Sequence, residues 1–163
     1  MKLTKSLGMG CLALASLTAV SIFSGCKKSN DANNTAGISA SLGGKAWQST
    51  TVDAEDNGFG TLTLIGFRTS DTSVLNIGIL DAIKVNQADP LDNSEVWFGK
   101  HDGTTYTGAT SFGGHGSLTV TSWDTAGHKI AGVFSGVFYN TANDQDSMVV
   151  TGGHFNNSYT VTP

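Results

Sequence analysis

The residue types that could do chemistry are few and scattered along the chain. Four histidines, His101, His115, His128 and His154, stand with no two at i and i+2 or i+4, the spacings that place two metal ligands on one face of a strand or helix. His101, His115 and His128 lie beside glycine-containing turns and read as solvated turn residues. Acidic groups cluster at Asp53-Ala54-Glu55-Asp56-Asn57-Gly58 and between Asn140 and Asp146, and several oxygens together suit a hard cation. Neither cluster has the acidic alternation and closing glutamate of an EF-hand loop, so both read as turn-forming loops. No Gly-x-Ser-x-Gly elbow is present, and Ser135 between Phe134 and Gly136 reads as a sheet residue. Glycoside hydrolysis would need two acids facing each other across a cleft, whereas these acids gather in loops. The expectation is no enzyme, no metal and no cofactor.

Aromatic residues carry the remaining chemistry. Trp47, Trp97 and Trp123, with Tyr106 and Phe112, could stack on sugar faces from one side of a β-structure. Trp97 and Phe98 are adjacent, so a strand would send them to opposite faces and one of the pair would be core.

Two cysteines remain, Cys11 and Cys26. Lys2 and Lys5 precede an uncharged apolar stretch from Leu7 to Phe23, which is a signal-peptide layout. It is short of the roughly 20 apolar residues that span a bilayer. The stretch ends in Phe23-Ser24-Gly25-Cys26, which resembles the bacterial lipobox, departing from it at Phe23, where leucine is usual. The resemblance implies a signal peptide over 1–25, cleavage before Cys26, and acyl chains such as palmitate on that cysteine. Two or more chains anchor stably where one is marginal. The expected place is the cell envelope, at the outer membrane on either face, with membrane lipid as the first partner.

Loss of the signal leaves Cys26 as the single thiol, so no disulfide staples the remaining 138 residues. Their seven basic and thirteen acidic residues give a net charge of −6, which argues against a nucleic-acid partner. Residues 26–37 follow as the acylated cysteine and a polar, small-residue tether, leaving 38–163 as one domain.

That domain reads as strand after strand. Ile38 to Leu42 and Lys45 to Val52 flank Gly43-Gly44, a pair suited to a tight hairpin. Gly60 to Thr69 and Ser73 to Ile83 alternate leucine and isoleucine with polar residues. A loop follows around Asp89-Pro90, then short aromatic strands at Ser94 to Gly99 and Thr104 to Phe112. Ser117 to Trp123 and Lys129 to Tyr139 form the clearest hairpin. Ser147 to Thr151 and His154 to Val161 close the chain, with a bulge at Gly152-Gly153. This pattern predicts an all-β domain, an antiparallel β-sandwich or flattened barrel of about eight to ten strands, with a closed calycin-like barrel as the alternative. Packing of Leu62, Leu75, Ile77, Leu118, Ile130 and Phe134 against one another would separate the first from a hollow, ligand-carrying barrel.

Ile130-Ala131-Gly132-Val133-Phe134 and Thr151-Gly152-Gly153-His154-Phe155 share a Gly-x-Phe core. With Gly44-Lys45-Ala46-Trp47 and Gly116-Ser117-Leu118-Thr119-Val120, they resemble a family of small Bacteroidota lipoproteins catalogued as a domain of unknown function. The resemblance runs from about Ser39 to Tyr159 and implies fold and location, with no catalytic group among its motifs. Asp124-Thr125-Ala126 and Asp146-Ser147-Met148 are similar to the acceptor pattern for O-glycosylation in such bacteria, which would place sugar on Thr125 and Ser147, at or beside turns. The expected role is a non-enzymatic binding or structural domain whose partner is a glycan or an envelope protein. The alternative is a small-ligand or carbohydrate carrier of calycin type.

Overall fold

A computed structural model describes residues 36–92 and 95–162. The expected signal peptide, Cys26 and nearly all of the tether lie outside the described residues. Runs rich in β-branched and aromatic side chains suit a pleated, half-buried surface, and such runs form most of the longer strands here. In chain order the strands are β1 (Gly37–Leu42), β2 (Lys45–Gln48), β3 (Thr51–Asp56), β4 (Thr61–Arg68), β5 (Ser73–Leu80) and β6 (Ala88–Pro90). They continue as β7 (Glu95–Gly99), β8 (Thr105–Thr107), β9 (His115–Asp124), β10 (Lys129–Asn140), β11 (Asn143–Ser158) and β12 (Thr160–Val161). No helix among the described residues is long and apolar enough to cross a membrane.

The all-β expectation is met, with twelve strands in one sheet among the described residues rather than eight to ten. The path runs β12-β3-β4-β5-β7-β8-β10-β11-β1-β2, with β9 also on β10 and β6 on β9. Pairing is antiparallel except between β12 and β3. The extra strands are short: β6 lies where a loop was expected at Asp89-Pro90, and two- or three-residue strands carry no periodicity to read. Lys45 to Val52, expected as one strand, divides at Ser49-Thr50. Thr104 to Phe112 keeps only β8, after which Thr110–Phe112 turns as a 3-10 helix.

The closed calycin-like barrel is corrected by the same Ser49-Thr50 corner. Ser49 N–H donates to Ile38 O at 2.9 Å, and Thr50 N–H donates to Phe67 O at 2.6 Å. The chain therefore leaves β1 on one side and joins β4 on the other, changing partner instead of completing a ladder. The sheet curls on itself but stays open.

Its inner face closes on a single apolar cluster in which Leu62, Leu64, Leu75, Ile77, Leu118 and Phe138 have no exposed surface. Ile130 and Phe134 join them, so the interior is filled by side chains rather than hollow. Each such residue contributes roughly 1.5–3 kcal/mol by leaving water. The two Gly-x-Phe segments explain themselves here. Gly132 pairs with Phe155 and Phe134 with Gly153 across β10 and β11, so each ring lies over the other segment's glycine. β11 is one strand of 16 residues where two were expected, and Gly152, at φ +57°, marks the expected bulge. Register slips there against both neighbours.

The turns sort onto two rims. Strands β1, β4, β7 and β10 all run toward the first rim, where the β1–β2, β4–β5, β7–β8 and β10–β11 turns gather. The β3–β4 and β9–β10 turns and strand β12 lie at the opposite rim.

Candidate functional site

The first rim carries a cleft of about 570 Å³ whose lining includes Lys45, Trp47, Arg68, Asp71, Lys100 and Tyr106. Three turns bring these residues together. Gly43 and Gly44, at φ +57° and +79°, make the tight β1–β2 hairpin that the glycine pair predicts, and it delivers Lys45 and Trp47. The β4–β5 turn delivers Arg68 and Asp71, and the β7–β8 turn delivers Lys100 and Asp102.

The floor is aromatic. Trp47 and Phe98 are nearly fully buried and meet edge to face, with ring centroids 6.2 Å apart and planes at 81°. The Trp47 indole N–H donates to Ser73 Oγ at 2.7 Å, which satisfies a polar atom that burial would otherwise penalise. Ser73 Oγ in turn donates to Asp71 Oδ1 at 2.6 Å.

Charged groups ring this floor, and Arg68, Asp71, Lys100 and Asp102 each hold a partner. Arg68 Nε donates to Asp71 Oδ1 at 2.9 Å, its Nη2 donates to Asp71 Oδ2, and the guanidinium lies 5.7 Å from the Trp47 ring centroid. The Arg68 hydrogen bonds, helped by Ser73, hold the Asp71 carboxyl far below the usual carboxylate range. Across the cleft, Lys100 Nζ donates to the Tyr106 hydroxyl at 3.0 Å, and that hydroxyl donates to Asp146 Oδ2 at 2.7 Å. The Tyr106 hydroxyl raises the Lys100 ammonium above its usual pKa. The same hydroxyl, with Asn140, lowers Asp146. Thr104 backbone and side-chain hydrogen bonds lower Asp102. Thr72, a β-branched residue at φ +50°, sits on the edge, its Oγ1 2.6 Å from His101 Nδ1. Left-handed backbone is costly for threonine, and such strain gathers at functional sites.

The expected site residues do not converge. Trp47 reaches the cleft as its floor rather than as an exposed stacking face. Trp97 lies on the outer face of the sheet opposite Asn76, while its neighbour Phe98 is core, which is the division that adjacency in a strand requires. Trp123 lies toward the opposite rim, opposite Ile130, with its indole N–H donating to the Tyr159 hydroxyl at 3.1 Å. Thr125 is exposed in the β9–β10 turn, as expected. Ser147 is exposed on β11, where a strand was expected from it to Thr151, paired with Tyr139 and lining the cleft. Cys26 lies outside the described residues.

Histidines also stay apart, and no group of three metal-ligating side chains forms among the described residues. His154 is buried, with Nδ1 2.6 Å from Ser39 Oγ. Of the two acidic loops, Asp53 to Asp56 is strand β3 and Asn143 to Asp146 opens β11. Sequence reading missed Arg68 and Asp71 as site residues, although their i, i+3 spacing across a turn is a local signal. Lys100 had no signal at all, because its partners come from β8 and β11.

Open sheet and filled core define the described residues as an all-β domain with a cleft at one rim. The chain belongs to the family described as Domain of unknown function (DUF6252), whose model matches residues 34–158. No curated protein and no solved structure matches the chain significantly.

Proposed function

We propose that this chain is a bacterial envelope lipoprotein, cleaved before Cys26, held at the outer membrane by acyl chains on that cysteine, and binding a partner without catalysis through the rim cleft. The lipobox-like Phe23-Ser24-Gly25-Cys26 supports the anchor. The observation that carries the binding reading is the construction of the cleft: an aromatic floor beneath polar groups already fixed by one another. Arg68–Asp71 and Lys100–Tyr106–Asp146 present donors and acceptors at set positions with little side-chain freedom left to lose, which favours binding. Cations and carboxylates alternate around the opening, so a neutral polyhydroxylated chain fits better than a strongly charged one. A glycan of the envelope is the partner of that chemistry. An enclosed carrier would need a lumen, which the filled core does not provide.

Two measurements test this reading. Radiolabelled palmitate should mark the wild type and not Cys26→Ser, and the variant should leave the membrane fraction. Retention of the unlabelled variant would remove the anchor from the account. Turnover of glycan or ester substrates by the purified protein, lost on changing one acid or serine, would replace binding by catalysis.

A further inference from the structure

The opposite rim carries an exposed aromatic tip. Phe59, in the β3–β4 turn, is 91 % exposed, and Leu80 and Val161 beside that turn are 42 % and 48 % exposed. Neighbourhood follows from the backbone: Asp81 N–H donates to Gly60 O at 3.0 Å, and Val161 pairs with Asp56. The tip is a built turn. Gly58 N–H donates to Asp56 Oδ1 at 2.9 Å, Phe59 N–H donates to Asn57 Oδ1 at 2.9 Å, and Thr61 N–H reaches the same oxygen at 3.3 Å. These side-chain acceptors fix the loop so that the ring is held outward rather than folded onto the sheet.

Where the domain begins says what the tip faces. Gly37, the first residue of β1, pairs with Asn156, and β1 runs from there toward the cleft rim. Its N-terminal end therefore points toward the opposite rim. From Asn156 the chain continues in that same direction to Val161 beside Asp56. Five residues of extended backbone, at roughly 3.3 Å each, put the tip about 17 Å beyond Gly37. The stretch from Cys26 to Gly37 reaches at most about 36 Å, so an acylated Cys26 leaves the tip within reach of the bilayer that holds it. The cleft would then face away from the membrane.

We infer that Phe59, with Leu80 and Val161, is a second, non-covalent membrane contact that docks the anchored domain on a lipid surface. The inference rests on the anchor proposed above. Weak insertion of one aromatic tip suffices because the anchor keeps it at high local concentration. Asp56 and Asp81 stand beside the tip, at Gly58 and Gly60, so the surface it suits is zwitterionic rather than anionic.

The test uses the full acylated protein in phosphatidylcholine vesicles, with acylation confirmed by mass. Phe59→Trp and, as a reference at the cleft rim, Ala142→Trp are each compared with wild type for quenching by brominated phosphatidylcholine. The fluorescence that Phe59→Trp adds should shift to the blue and be quenched at least about twofold more than the fluorescence that Ala142→Trp adds, and quenching should fall as phosphatidylglycerol replaces phosphatidylcholine. An acylated protein whose position 59 stays unquenched overturns the docking contact and leaves the anchor standing. A chain that carries no acyl mass overturns the anchor and, with it, this inference. Equal quenching at both positions also contradicts it, because docking would then have no orientation.

Discussion

Phe155 of β11 lies across the sheet from Gly132 of β10, and the space a side chain would need at position 132 is taken by its ring. A Cβ there would stand 2.5 Å from Thr119 O and 2.7 Å from a Phe155 ring carbon. Phe134 covers Gly153 in the same way, so two similar short segments lock against each other in reverse. Gly132→Ala is expected to cost about 1–3 kcal/mol in urea unfolding, because the neighbours are backbone and a packed ring. Gly152 differs: it has φ +57° and open space around it. Asparagine tolerates that conformation, so Gly152→Asn should cost less than about 1 kcal/mol. Equal losses at the two positions would contradict the packing described.

The Trp47–Ser73 hydrogen bond supports the cleft floor from below. Trp47→Phe removes the donor, and Ser73→Ala leaves a buried indole N–H unpaired, so each change should cost about 1–3 kcal/mol. The double variant should lose less than the sum, with a coupling of about 0.5–3 kcal/mol in a double-mutant cycle. Strict additivity would mean that the 2.7 Å contact contributes nothing.

Acid should dissolve the Asp146 interaction before it unfolds the core. The carboxyl is depressed in the folded protein below its ordinary value of 3.8, so its contribution is full above 3.8 and falls as pH drops through the lower folded value. Asp146→Asn should therefore lower Tm near neutrality, and the gap from wild type should close below pH 3.8. Lys100 runs the other way. Its pKa is raised, so its contribution is full below 10.5 and is lost as pH rises past the folded value. A gap for Asp146→Asn that widens in acid would contradict the assignment.

Legibility of the fold in the sequence followed the reach of its interactions. The Gly43-Gly44 hairpin, the β9–β10 hairpin and the Gly152 bulge are local devices, and their residues announce them. β12 and the split between β2 and β3 do not, because Thr160–Val161 is defined only by Glu55 and Asp56 far earlier in the chain. The cleft shows the same division. Arg68 and Asp71 are separated by one turn and could have been paired from spacing alone. Tyr106 and Asp146 meet only because β10 lies between β8 and β11, and no local pattern carries that. Tryptophan count misled for a related reason: residue type does not say which rim or face a strand presents.

Amide spectra of the mature Cys26→Ser protein, titrated with envelope-derived glycan, test the account most directly. The largest shift changes should fall on Lys45, Ala46, Arg68, Asp71 and Lys100, with the opposite rim unchanged. A spectrum without saturable changes, or with changes confined to the separate hollow of about 650 Å³ around Phe112 and Tyr139, would contradict the cleft as the binding site.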